Sequence, residues 1–202
     1  AVLSKVAGRM VMRLADADAL PVRFGPVAGA ARSYFGEIKT LIENRRKEDD
    51  KRAGLSADIY RLGSDPRDPL GPPLPKTPTP ALDLAVLDAA ITRLDGAAKA
   101  FDAAISAKEA SLTPAQTAAL NGKLRDIEQT LLSPSGLPFR PWFRNILYAP
   151  GRFTGYGSKT LPGLREAVEE RRFDDATREA GIAAKALGDY ADRLNEAAGL
   201  LK

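Results

Sequence analysis

Two long seams of apolar residues constrain this chain more than anything else in it. Phe173, Ala176, Ala180, Ala183, Leu187, Tyr190, Leu194, Ala197 and Leu201 step by 3 and 4 throughout. Leu84, Leu87, Ile91, Leu94, Ala98, Phe101 and Ile105 do the same. A 3–4 alternation places every member on one side of an α-helix, so each seam demands a helical neighbour. The alanines of the later seam let that neighbour approach closely. Two such seams in one chain predict an antiparallel, four-helix-type bundle in an all-α fold.

The remaining helices follow from weaker signals. Leu3, Val6, Met10, Leu14 and Ala17 predict a first helix over 2–18, ended by Leu20-Pro21. Val27, Ala31, Tyr34, Ile38 and Leu41 predict a second over 25–51, with Pro26 suited to its first turn. The seam from Leu84 sits in a helix over 81–108. Thr113-Pro114-Ala115-Gln116 reads as a capping box opening a helix striped by Leu120, Leu124, Ile127 and Leu131. Ser133-Pro134-Ser135-Gly136 stops it. Pro162 starts a short helix to about Arg171, before the last long one. Leu62–Leu82 holds seven of the fifteen prolines and reads as an extended, spacer-like connection. No stretch alternates with a period of two for long enough to build a sheet.

Length and composition narrow the function. At 202 residues the chain fits one domain, taken here as 1–202. It has no initiator Met and begins within a helical pattern, as a piece of a longer chain would. No apolar run approaches the ~18–20 residues of a membrane span, so no membrane insertion is expected. Cys and His are both absent. That excludes disulfides, thiol nucleophiles, Cys/His zinc sites and imidazole acid–base chemistry in this chain. No phosphate loop or EF-hand occurs. No catalytic residue and no metal ligand is therefore assigned. The net charge is +4, but basic and acidic residues interleave, as in Arg45-Arg46-Lys47 before Glu48-Asp49-Asp50. That pattern describes a solvated helix end better than a nucleic-acid surface. A free-standing helical binding module for nucleic acid or an acidic partner is the alternative function.

One stretch departs from the helical composition. Gly136–Gly163, GLPFRPWFRNILYAPGRFTGYGSKTLPG, holds the only tryptophan, three phenylalanines, two tyrosines, four prolines and five glycines. Glycine and proline break helices, and clustered aromatics need a surface to pack on. The stretch is expected to be a buried or interfacial strap across the bundle, anchored by Phe139, Trp142 and Phe143.

The strap also carries a resemblance. Gly136-Leu137-Pro138, Arg140-Pro141, Arg144, Tyr148-Ala149-Pro150, Tyr156 and Leu161-Pro162-Gly163-Leu164 recur, in order and spacing, in one family. The stretch resembles the C-terminal dimerisation domain shared by the transferrin receptor and folate hydrolases of the glutamate carboxypeptidase II type. Gly8-Arg9-Met10 and Arg13–Asp18 with Leu20-Pro21 look like the segment after the zinc-peptidase domain of bacterial members. The resemblance implies a homodimerisation domain that partners the peptidase and apical domains of its parent. Zinc is expected in that peptidase domain, which is not part of this chain. The family's setting further suggests a place outside the cytosol.

In the carboxypeptidases the loop after Tyr-Ala-Pro supplies a Lys-Tyr pair that binds the carboxylates of a terminal glutamate. Tyr156 matches the tyrosine, whereas Gly155 stands at the lysine position. Strict glutamate preference therefore does not follow. A broader aminopeptidase or carboxypeptidase parent, or an inactive one, fits equally well. Arg152 and Lys159 are the cations near enough in sequence to substitute. Tyr148, Pro150, Phe153, Leu161 and Pro162 are expected to serve the interface or to anchor the loop.

Overall fold

Both seams are buried in a mostly helical molecule. The computed structural model describes residues 2–55, 57–68, 71 and 76–202. Its long helices are α1 (Val2–Ala15), α2 (Gly25–Ala53), α4 (Ala85–Lys108), α5 (Pro114–Asp126) and α7 (Phe173–Gly199). The shorter α3 (Ala57–Leu62) and α6 (Pro162–Glu169) and two 3-10 turns, Glu109–Ser111 and Ile127–Leu131, complete the helical part. The fold is mostly α. Much of the proline-rich connection expected over Leu62–Leu82, including Pro69, Pro72, Pro73 and Pro75, lies outside the described residues.

Helices α4 and α7 form the centre. Leu87, Ile91, Leu94, Ala98, Phe101 and Ile105 are buried along α4, and Ala176, Ala180, Ala183, Leu187, Tyr190, Leu194 and Ala197 along α7, with Leu201 buried just past its end. Phe24 stands edge-on to Phe101 (centroids 5.2 Å apart) and to Tyr190 (6.0 Å), closing one end of this core. Helix α2 packs on α4 through Ala28, Ala31, Phe35 and Ile38. Its buried stripe is thus turned slightly from the expected one. Val27, Tyr34 and Leu41 lie at its margin, only partly buried.

Polar contacts set the helix directions. Asp102 of α4 accepts from the backbone N–H groups of Phe24 and Gly25 (both 2.9 Å), and Arg32 reaches Asp88 (2.6 Å) and Thr92 (2.8 Å). So α2 and α4 run antiparallel, and Asp102 supplies the N-cap that Phe24 lacks. Lys123 of α5 meets Glu196 of α7 (2.7 Å), and Glu128 lies close enough to Tyr190 to act on it electrostatically. Hence α5 and α7 are antiparallel too. The central pair, by contrast, runs parallel: Arg93, late in its groove, reaches Asp192 and Gly188 rather than Gly181. The capping box at Thr113 forms as read, with Gln116 N–H donating to Thr113 Oγ1 (3.3 Å) and Thr113 N–H to Gln116 Oε1 (3.0 Å).

Two expectations change. Helix α1 exists but buries nothing: Leu3, Val6, Met10 and Leu14 are all exposed. The strap contains a two-stranded antiparallel hairpin, β1 (Tyr148–Pro150) with β2 (Ser158–Thr160), in strands too short to show a period of two.

Candidate functional site: the strap and its hairpin

The strap begins where the 3-10 turn after α5 ends. Ser133 N–H donates to Arg144 C=O (2.8 Å) and Ile146 N–H to Leu131 C=O (2.9 Å), closing a loop over 132–145. Inside it Leu137 N–H donates to Phe143 C=O (2.8 Å). Gly136 sits at φ 72°, and a Cβ there would overlap the Pro141 carbonyl. Only glycine fits that turn without strain.

The anchors are not the aromatics. Phe139 (61% exposed) and Trp142 (71%) face outward, and Phe143 is half-buried. The segment is held by Leu137, Ile146, Leu147, Leu161 and the guanidinium of Arg140, all buried. Phe139 and Trp142 therefore do not anchor the strap within the chain, as their bulk had suggested, and they stand at its surface. Here the aliphatic residues of the strap fill the available space instead.

Arg140 is the unexpected element. Its Nη1 donates to Glu166 Oε1 at 3.0 Å, with both side chains 5% exposed. Glu166 Oε1 also accepts from the Arg152 backbone N–H (2.9 Å). One carboxylate on α6 therefore ties the first half of the strap to the turn beyond β1. Glu170, one helical turn on, holds the Arg152 side chain (3.2 and 3.0 Å) and Arg172 (3.1 Å). The Arg152 guanidinium lies 4.1 Å from the Phe139 ring centroid and 4.9 Å from that of Phe153, and Arg172 is 4.9 Å from Phe139. Exposed rings are thus held in place by cations that are themselves held by Glu170. The Glu166-Glu169-Glu170 run on one helix, opposite arginines in the strap, was the available signal for this hub.

The hairpin pairs Tyr148 with Thr160, Ala149 with Lys159 and Pro150 with Ser158. Asn145 Oδ1 fixes its entry by accepting from Leu147 N–H (2.9 Å) and Tyr148 N–H (3.2 Å). Leu161 N–H donates to Leu147 C=O (2.8 Å) at its exit. The turn 151–157 closes through Gly151 N–H to Gly157 C=O (3.1 Å) and Thr154 Oγ1 to the same carbonyl (2.8 Å). At its tip Gly155 has φ 56°, and Tyr156 is fully exposed. The backbone of 155 is in the left-handed region that costs any other L-residue about 1 kcal/mol or more. Glycine at that position thus has a local backbone reason.

The two cations considered as substitutes at position 155 are engaged elsewhere. Arg152 is bound to Glu170, and Lys159 to Glu169. Lys159 and Glu169, with Glu37, Arg165 and Thr160, line a cleft of about 240 Å³ beside the hairpin. Arg165 pairs with Glu37 and donates through Nε to Thr160 C=O (3.0 Å). Leu161 and Pro162 are buried, Pro150 is half-buried, and Tyr148 and Phe153 are exposed. Behind the strap, Glu179 lies against Gly163. Burial pushes its carboxyl above the ordinary range, assisted by Asp175 and opposed by Arg178 and Arg172. Among the described residues no cluster of three acidic groups could hold a metal ion.

What the site offers is an outward-facing surface of aromatic rings and a phenol on a braced turn. Comparison with known proteins gives this arrangement a context. The model of the transferrin receptor-like dimerisation domain family matches residues 82–195. A probable glutamate carboxypeptidase of Arabidopsis thaliana is 26% identical over 170 residues, covering 84% of this chain and 19% of its own length. A probable glutamate carboxypeptidase of Arthroderma benhamiae is 34% identical over 91 residues, covering 45% and 12%. The chain spans about a fifth, or less, of the length of these relatives.

Proposed function

Because the chain belongs to the transferrin receptor-like dimerisation domain family, we propose that it is the non-catalytic homodimerisation domain of a zinc-dependent exopeptidase. In that reading residues 1–202 act as one module beside the peptidase and apical domains of the parent. The zinc ions belong to the peptidase domain, on its own His, Asp and Glu side chains. The module binds a second copy of itself and lends the turn at 151–157 to the parent's substrate pocket.

The observation that carries the reading is the family match across the central helices and the strap, residues 82–195. The strap's geometry supports the pocket contribution. Tyr156 stands at the tip of a braced turn with its phenol wholly free. There it donates a hydrogen bond to a substrate carboxylate, and exclusion of water strengthens that bond. Gly155 supplies no ammonium, so the parent recognises a terminal carboxylate with one fewer charge than its lysine-bearing relatives. Phe153 and Tyr148 form the apolar margin of the same surface, while Leu161, Pro162 and Pro150 seat the hairpin on α6.

Steady-state kinetics of the parent test the pocket role. Tyr156→Phe is expected to raise KM for peptides with a free terminal carboxylate by about tenfold, the worth of one charge-assisted hydrogen bond, with little change for amidated peptides. Equal effects on both substrates would refute it.

A further inference from the structure

Helix α1 presents an apolar face that nothing in the described structure covers. Leu3, Val6, Met10 and Leu14 step by 3, 4 and 4 along it, with Val2 and Val11 at its edges; exposures run from 50% at Val6 to 81% at Leu3. Lys5, Arg9 and Arg13, at i, i+4 and i+8, form a continuous cationic row along one side of that face. The helix contains no acidic residue. A helix of 14 residues is marginal in water by itself, and an apolar face this wide marks an interaction surface.

The attachment of α1 is firm. Asn121 on α5 accepts from Leu20 N–H (2.9 Å) and donates to Asp18 C=O (2.7 Å), and Ala19 between them is buried. The chain is therefore bolted to the bundle just past the end of α1, while α1 itself stands clear of it. A second α1 is a poor occupant, since like-charged rows would face each other without a carboxylate on either helix. The relatives offer a better one, because at least four-fifths of their length lies outside the matched segment.

We infer that α1 is the docking helix by which this chain joins the rest of its parent polypeptide, seated in an apolar groove with acidic residues along one rim. The inference rests on the reading of the chain as one segment of a longer peptidase. It assigns the contact to Leu3, Val6, Met10 and Leu14, with Lys5, Arg9 and Arg13 meeting the rim. The bundle from Ala19 onward folds and self-associates without it.

Limited trypsinolysis tests this, because Lys5, Arg9 and Arg13 are themselves cleavage sites. In the 202-residue chain they are cut first, leaving the bundle intact. In the full-length parent the same cuts are expected to be about tenfold slower or more, because proteolysis tracks the open population. Val6→Glu with Met10→Glu is expected to restore fast cutting in the parent, while leaving the melting temperature and sedimentation of the 202-residue chain unchanged. Equal cutting rates in chain and parent overturn the inference. So does protection in the chain alone that rises with its concentration (a second copy) or with anionic phospholipid vesicles (a membrane). Because sedimentation of the substituted chain is read separately, loss of self-association in the unsubstituted chain would count against the dimerisation reading and not against α1.

Discussion

Replacing Glu166 by alanine should release the brace by which α6 holds the strap. The carboxylate accepts from Arg140 Nη1 (3.0 Å) and from the Arg152 backbone N–H (2.9 Å), and the Arg140–Glu166 pair is 5% exposed on both sides. Arg140 is already under-satisfied, with Nε and Nη2 buried and lacking a hydrogen-bond partner in the described structure. Removing Glu166 leaves a buried guanidinium with no counter-charge, which costs about 3–5 kcal/mol. For a chain of this size that is roughly a 6–20 °C fall in melting temperature. Replacing both partners together, Arg140→Met with Glu166→Leu, removes the unpaired charge along with the pair. It should return stability to within about 1 kcal/mol of the parent sequence, or above it. Thermal unfolding followed by circular dichroism measures both, and amide spectra of Arg152 report whether the turn has lost its brace. A loss under about 1 kcal/mol for Glu166→Ala, or a double variant as unstable as the single, would refute the reasoning.

Other consequences are equally direct. Tyr190 is fully buried, its hydroxyl has no hydrogen-bond partner among the described residues and burial raises its pKa well above the ordinary 10.0; Tyr190→Phe should be neutral or stabilising by about 1 kcal/mol in thermal melts. Asp49 accepts from Arg171 Nη1 (2.9 Å) and Nη2 (2.5 Å) and from Thr79, and these bonds hold its carboxyl far below the ordinary 3.8. A carboxyl lowered on folding contributes stability that is complete above its unfolded pKa and is lost as pH falls below it. Asp49→Asn should therefore destabilise the chain at neutral pH and flatten the loss of stability below about pH 4, read from acid titrations of the melting temperature. Gly163→Ala would drive a Cβ into the Glu179 carboxylate between α6 and α7, at about 1–3 kcal/mol, measured by denaturant unfolding.

The central helices were legible because the 3–4 spacing of their seams is the spacing of burial itself. Every residue read into the α4 seam from Leu87 to Ile105 is buried, as is the α7 seam from Ala176 to Leu201. Helix α2 was less so: alanines at 28 and 31 set its close approach to α4, and periodicity weighs alanine lightly beside Val27 and Tyr34. In α1 the same periodicity reported an apolar face correctly but could not say what covers it. Within the strap, aromatic bulk drew attention to Phe139 and Trp142, whereas the hold comes from aliphatic residues and an ion pair spanning 26 positions. Such a pair has no local pattern and becomes visible only once the turn at Gly136 brings Arg140 over α6. The positive φ of Gly155 likewise becomes evident only in the folded turn.

Self-association is the central claim of the proposed function, and sedimentation across a wide range of concentration measures it directly. A reversible two-fold association, with a species of twice the 21.6 kDa chain mass growing in with concentration, is the predicted result for this chain. The parent protein is predicted to be a dimer throughout. A parent that sediments as a monomer at every concentration would contradict the account.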